Sequence, residues 1–305
     1  MDTPTIIVID GDVSSEETQA GIAQLQTSLD ADPAFAYSNL VPYPEDNLAV
    51  IYAQITGDSM SLQSMDSVRT LRAEYIPQAL GDSPVRVLVS GETAFMVDFN
   101  QTTDTYTPYI FAYVLALSFI ILLLAFRSVV ISTTAIIMNM LSVGAAYGLI
   151  VLVFQKGVGA DFFGFIQVEV IETWLPLFLF ALLFGLSMDY HVFLLSRVRE
   201  RFKQTGDNDE SVSFGLRSTG RLITGAALIM VAVFGGFALG DLVMMQQMGF
   251  GLAVAIFLDA TLIRCVLVPA TMKLLGHRNW YLPKWLEWVP NISIGELPTN
   301  REKGN

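Results

Sequence analysis

The chain has 305 residues, of which 53% are hydrophobic and 15% charged, with a mean hydropathy of +0.52. This composition excludes an ordinary soluble domain and is typical of an integral membrane protein. Residues 1–105 hold 16 acidic and three basic residues, whereas residues 106–305 hold 13 acidic and 14 basic residues. We therefore expect two bodies that lie in different solvents, and neither has the basic surface that a nucleic-acid partner needs.

The first 105 residues alternate short strands with amphipathic helices. Helices are predicted over 14–29 and 61–80. Strands are predicted in PTIIVID, FAYSNLVP, LAVIYAQI and VRVLVSG. The resulting β-α-β-β-α-β order predicts an α+β, ferredoxin-like subdomain, in which two helices cover one face of a compact sheet.

Long apolar runs follow from Pro108, and they predict a polytopic α-helical membrane region over 106–278. Its five helices are expected at about 108–126, 130–154, 174–196, 219–239 and 246–275, each long enough to cross a bilayer. The connection 155–173 could include a short interfacial helix. The tail 279–305 is expected to be an aromatic interfacial anchor followed by a mobile polar end.

The distribution of basic residues predicts the orientation. The connection from Arg197 to Arg221 carries six of the 17 basic residues in the chain. By the positive-inside rule this connection and the tail are cytoplasmic, and residues 1–105 lie outside the membrane. Neither a signal peptide nor a membrane segment precedes residues 1–105 to carry them across. We therefore expect a leading membrane helix to be missing, so that the chain is part of a longer protein or its missing helices come from a partner subunit. The alternative is that residues 1–105 cross the membrane unaided.

Two groups of ionisable residues lie within the apolar runs. Asp189, which is followed by Tyr190, carries the one formal charge between Leu175 and Leu195. An aspartate at the centre of a membrane helix costs about 2.5–3.5 kcal/mol, so it is expected to serve a function. Asp259 and Arg264 form the second group, on the last helix. The pattern predicts a switchable proton site at Asp189 beside a fixed ion pair.

The sequence leaves several alternatives open. Residues five apart on an α-helix lie about 140° apart in azimuth, so Arg264 could pair with Asp259 or reach Asp189 instead. An Asp259–Arg264 pair could also be purely structural. His191 is expected to be a packing or hydrogen-bonded residue rather than a proton carrier. The sequence has no phosphate-binding glycine loop, metal-ligand cluster or hydrolase motif, so neither a cofactor nor an enzymatic activity is expected.

Four stretches of the chain carry a family resemblance: GLSMDYHVFLLSRVRE, LDATLIRCVLVPA, LAFRSVV and NWYLPKWL. They resemble the MmpL family of the resistance-nodulation-division (RND) superfamily of exporters, in the second half of such a protein without its first helix. The resemblance implies a ferredoxin-like porter subdomain over 1–105 and proton-driven export of lipids or other hydrophobic molecules across the cytoplasmic membrane.

The resemblance also implies roles for individual residues. Asp189, Tyr190, Asp259 and Arg264 would form the share of the proton relay that belongs to this half, and the matching helices of the first half would be missing partners. The alternatives are a protein-translocation accessory like the SecD and SecF proteins, or a membrane sensor that transports nothing. Membrane lipids are expected neighbours in every case, and the protein could be a homo-oligomer.

Overall fold

The computed structural model describes residues 4–286 and 288, and it divides into two compact units, Met1–Thr105 and Tyr106–Asn305. In the first unit a four-stranded antiparallel sheet has the strand order β2-β3-β1-β4. The strands are β1 (Thr5–Asp10), β2 (Phe35–Tyr43), β3 (Leu48–Ile55) and β4 (Arg86–Ser90). The helices are α1 (Glu16–Ala31), α2 (Leu62–Thr70) and α3 (Ile76–Leu80), and a π-helical turn over Leu71–Tyr75 joins the last two.

Alternation along the strands explains the core of this unit. Ile7 and Ile9 of β1 are buried, as are Ile22, Leu25 and Leu29 on one face of α1. Residues two apart on a strand, and three or four apart on a helix, share a face, so these side chains meet in one core. The predicted ferredoxin-like α+β subdomain is confirmed.

In the second unit, the part of the chain that the structure describes has five helical spans long and apolar enough to cross a membrane. These spans are Glu92–Phe126, Val129–Gln155, Leu175–Thr205, Asn208–Ala238 and Val243–Trp280. The first begins within the first unit. The α-helices are α4 (Glu92–Phe126), α5 (Val129–Ile150), α6 (Ala160–Phe163), α7 (Leu175–Thr205), α8 (Asn208–Ala238), α9 (Val243–Leu258) and α10 (Val268–Leu275). Two π-helical segments, Val151–Gln155 and Asp259–Leu267, continue α5 and α9. The predicted polytopic helical fold is confirmed.

The prediction that a long connection from Arg197 to Arg221 separates two membrane helices is wrong. Helix α7 continues to Thr205 and α8 begins at Asn208, so only two residues separate them. Gly206 adopts a left-handed backbone with φ of 70°, and the carboxylate of Asp207 accepts hydrogen bonds from the first turn of α8. A left-handed glycine ends a helix, and an aspartate that caps the first turn starts one. Hydropathy measures neither feature. The basic residues of this region therefore lie on two helices that extend beyond the apolar runs.

The chain folds back after the last α-helix. Residues Gly276–Trp280 form a 3-10 turn, in which the buried side chain of Asn279 donates hydrogen bonds to the carbonyl oxygens of Met272 at 2.6 Å and Gly276 at 2.7 Å. The indole of Trp280 stacks on Phe202 of α7 with the rings 4.9 Å apart. This turn corresponds to the start of the predicted aromatic tail. The predicted mobile polar end lies outside the described residues.

Helices α8 and α9 pack closely because a glycine lies at their contact. A Cβ atom added at Gly249 would lie 2.4 Å from the backbone nitrogen of Ala238 and 2.6 Å from the carbonyl oxygen of Phe234. Backbone atoms cannot move aside as side chains do. By contrast, a Cβ added at Gly148 of α5 would meet nothing within 4 Å.

We therefore expect opposite effects of the same substitution at these two glycines. Gly249→Ala forces α8 and α9 apart and should lower the free energy of unfolding by about 1–3 kcal/mol, the usual cost of overpacking. Gly148→Ala should raise it by about 0.5–1 kcal/mol through helix propensity. Thermal unfolding in detergent measures both, and equal effects at the two sites would contradict the close contact.

Candidate functional site

A buried ion pair lies within the last membrane span. Nη2 of Arg264 is 2.5 Å from Oδ2 of Asp259, and the two residues are only 2% and 6% exposed. Both belong to the π-helical segment Asp259–Leu267. In a π-helix the backbone hydrogen bonds join residues five apart, which brings positions i and i+5 close together along one face. The local helix type thus decides the alternative that the sequence leaves open: Arg264 pairs with Asp259 and not with Asp189.

Two further side chains tie this pair to neighbouring spans. Nη2 of Arg264 also donates to the carbonyl oxygen of Ser187 at 2.8 Å and to its hydroxyl at 3.0 Å. The Ser187 hydroxyl in turn donates to Oδ1 of Asn139 on α5 at 2.8 Å. All four residues are buried. The chain of bonds therefore joins α5, α7 and the last span at one level.

Sequence reasoning missed Ser187 and Asn139. Serine is common in membrane helices because its hydroxyl can bond to its own backbone, so Ser187 carries no distinct signal. Asn139 does carry one, since it is the sole amide side chain in the apolar run of α5. An amide within an apolar span needs a partner, and that requirement could have identified it.

Tyr190 contacts the same pair through its ring. The guanidinium carbon of Arg264 lies 5.1 Å from the centroid of the Tyr190 ring, a distance at which cation and ring attract each other. Tyr190 follows Asp189 directly on α7. Three of the four residues predicted for the site, Tyr190, Asp259 and Arg264, are thus brought together.

Asp189 lies apart from the other three. Its side chain is exposed, and no residue in 4–286 or 288 forms a hydrogen bond or an ion pair with it. It is part of an exposed stripe on α7 with Ala181, Gly185 and Phe193, spaced four residues apart. The stripe is on a different face of α7 from Ser187, which points toward Arg264. A carboxylate in such a stripe is costly when lipid covers it.

A small cavity adjoins the ion pair. It measures about 20 Å³, which is enough for one water molecule, and Ser187, Tyr190, Asp259 and Arg264 contribute its polar walls. Oδ1 of Asp259 and Nε and Nη1 of Arg264 are buried with no hydrogen-bond partner among the described residues. The site therefore combines unsatisfied polar atoms with room for a water molecule that could hydrogen-bond to them.

His191 lies on the buried face of α7, one turn from Ser187. It is 3% exposed and lines a separate space of about 10 Å³ with Thr134 and Thr271. Its Nδ1 has no hydrogen-bond partner among the described residues. No hydrogen bond joins His191 to Asp189 among the described residues, and its expected role as a packing or hydrogen-bonded residue stays a prediction.

We expect the ion pair to behave as a unit in unfolding experiments. Arg264→Met leaves the Asp259 carboxylate buried and unpaired, which should lower the free energy of unfolding by about 3–5 kcal/mol. The double variant Arg264→Met with Asp259→Leu removes both charges and should recover most of that loss. Thermal unfolding in detergent measures the two variants.

The matched control is a surface pair on α7. Arg197 and Glu200 lie 2.8 Å apart and are about half exposed, so Arg197→Met should change the stability by no more than about 1 kcal/mol. If the double variant were no more stable than Arg264→Met alone, the ion pair would not be the source of the loss.

Known proteins are similar to this chain over most of its length. The model of the family described as the MMPL family matches residues 4–289. The mycolic acid-containing lipids exporter MmpL11 of Mycolicibacterium smegmatis is 37% identical over 281 residues, which cover 92% of this chain and 29% of that protein. The heme uptake protein MmpL11 of Mycobacterium tuberculosis is 38% identical over 298 residues, covering 94% of this chain and 30% of that protein.

A third relative extends the comparison to another exporter. The trehalose monomycolate exporter MmpL3 of Mycolicibacterium smegmatis is 37% identical over 262 residues, covering 85% of this chain and 25% of that protein. The chain thus spans less than a third of the length of these curated relatives.

Proposed function

Because the chain belongs to the MMPL family, we propose that it carries part of the proton-driven machinery of an exporter of lipids or other hydrophobic molecules. One observation carries the proposal: a buried ion pair in an apolar span contacts Tyr190, whose neighbour Asp189 is an uncompensated acid on the surface of the same bundle. Such intramembrane ionisable residues are the usual elements of proton relays.

Asp189 is the group that we propose to bind and release the proton. Its charge is not balanced by any described residue, so protonation removes an uncompensated charge from an apolar environment. Asp259 is less suited to this task, because its carboxylate is buried and already forms an ion pair with Arg264 at 2.5 Å. One proton that crosses a potential of about 100 mV releases about 2.3 kcal/mol, enough to bias two packing states of a helix.

Helix α7 is the element through which this charge change would act. Its exposed stripe carries Asp189, and its buried face holds Ser187 against Arg264 and Asn139. Tyr190 lies next to Asp189 along the chain and contacts the Arg264 guanidinium. A shift of α7 that follows protonation would therefore be transmitted to α5 and the last span.

The exposed stripe on α7 also indicates a partner. An acid in an apolar stripe is stabilised when polar groups of another membrane helix cover it. We propose that further membrane helices of the native protein, or of a partner subunit, pack on this stripe. A homo-oligomer would satisfy the same requirement.

The names of the relatives support the class of substrate. Two of them are named as exporters of mycolic acid-containing lipids and of trehalose monomycolate, and a third as a heme uptake protein. Lipid is therefore the substrate class we favour. We further propose that the protein lies in the cytoplasmic membrane with the basic ends of α7 and α8 in the cytoplasm, following the positive-inside rule.

If Asp189 binds the proton, replacing its carboxylate should abolish export without lowering the stability of the protein. In its native protein context, Asp189→Asn should abolish export driven by a pH gradient, because the amide cannot bind and release the proton. Its abundance and melting temperature should not fall, since no described residue depends on the carboxylate. Movement of a fluorescent lipid in proteoliposomes, recorded together with proton uptake, measures the effect.

Asp161→Asn is the control, because it removes an exposed acid from the connection between α5 and α7. It should leave export unchanged. Proton-coupled export by Asp189→Asn at the normal rate would refute the proposed role.

Tyr190→Phe removes the hydroxyl and keeps the ring, so it tests the roles of the two groups separately. The phenylalanine ring keeps its contact with Arg264, so the melting temperature should stay within about 1 °C of the parent, given the small loss expected for such a change. If the hydroxyl carries protons beside Asp189, lipid export and proton uptake should fall together. Normal export by Tyr190→Phe would limit the residue to its packing role.

A further inference from the structure

Two connections between membrane spans expose apolar side chains where polar ones are usual. Phe162 of α6 is 87% exposed, and Val158 and Ile166 on either side of α6 are 61% and 51% exposed. Leu239 and Leu242, in the turn between α8 and α9, are 77% and 64% exposed. None of these residues belongs to one of the five spans. We call this set of five residues the Phe162 surface.

A glutamine side chain holds the two connections together. Gln246 at the start of α9 accepts a hydrogen bond from the backbone N–H of Ile166 at 3.3 Å and donates one to the carbonyl oxygen of Gly240 at 2.8 Å. Gln246 is buried. The two parts of the Phe162 surface are thereby fixed next to each other at one end of the bundle.

An aromatic cluster connects the Phe162 surface to the core of the helical unit. The buried Phe165 ring stacks on Phe154 with centroids 5.0 Å apart and on Phe163 with centroids 5.3 Å apart. Phe163 in turn contacts Phe162 edge to face at 5.1 Å. The exposed ring of Phe162 is therefore the outer end of a series of rings that begins in the core of the helical unit.

We propose that the Phe162 surface inserts into the lipid bilayer at the boundary between headgroups and acyl chains. The surface is continuous with the apolar spans that end at Gln155 and Ala238 and begin at Leu175 and Val243, so the leaflet that those spans cross lies beside it. Apolar residues at such a position enter the membrane interface by about 5–10 Å. This inference does not depend on the proposed export function.

The charges near the surface define the kind of lipid contact. Asp161, Glu169, Glu172 and Asp241 lie in the same two connections, with Lys156 as their one base. Because acidic residues outnumber basic ones here, anionic headgroups do not attract this surface electrostatically. Insertion should therefore be driven by apolar contact, occur in purely zwitterionic vesicles, and be insensitive to salt.

The single cysteine of the chain makes a direct test practical. In a Cys265→Ser background, Phe162→Cys is labelled with the environment-sensitive fluorophore NBD and the full chain is reconstituted into phosphatidylcholine vesicles. Nitroxide groups at shallow and deep positions on the lipid report the depth of the probe. We expect a blue-shifted emission and stronger quenching by the shallow nitroxide than by the deep one.

Asp161→Cys is the matched control, because it places the probe on the neighbouring exposed position of the same short helix. It should be quenched less by the lipid nitroxides and more by aqueous iodide. Leu239→Cys tests the second connection and should give the same depth as Phe162→Cys.

Three outcomes at positions 162 and 239 would overturn the proposal. Quenching by iodide and not by lipid would show that the Phe162 surface faces water. Protection from both quenchers would show that protein covers it, either another part of this protein or a partner. Disagreement between the two positions would show that they do not form one inserted surface.

Discussion

The charge of Arg264 is the constraint on which the helical unit depends. A guanidinium that is 2% exposed within an apolar span must be compensated, because burying a charge costs several kcal/mol and removing its partner costs still more. The π-helical segment supplies Asp259, while α7 supplies Ser187 and the Tyr190 ring. Since Asn139 then binds Ser187, the compensation of one charge fixes the relative positions of three spans.

The proposed relay rests on the contrast between Asp259 and Asp189. Both are acids in apolar spans, but Arg264 compensates only the first. In the proposed relay, Asp259 is the buried partner that holds Arg264, and Asp189 is the group that binds and releases the proton. An uncompensated acid changes the local energy each time it binds a proton. Tyr190 adjoins Asp189 along the chain and its ring contacts Arg264, the partner of Asp259, so in the proposed relay it would connect the two acids.

Alternation predicted the first unit because it reports which side chains enter the core, and hydropathy predicted the second because it reports the transfer of apolar helices into lipid. They did not predict the length of α7 and α8, since the ends of these helices depend on Gly206 and Asp207 and not on apolar residues. Residue types alone identified Asp259 and Arg264, whereas their pairing required knowledge of the π-helix. Ser187 escaped prediction because its partners, Arg264 and Asn139, come from spans distant in the sequence.

The Phe162 surface and the ion pair are linked through the last span. Gln246, which joins the two apolar connections, lies in the first turn of α9, and Asp259 follows it on the same continuous helix. At about 1.5 Å per residue, the separation of these residues along the helix axis is about 20 Å. Contact between the Phe162 surface and the bilayer interface would therefore set the depth of the pair. Because the cost of a charge in a membrane rises toward the midplane, that depth determines how strongly Arg264 depends on its partners.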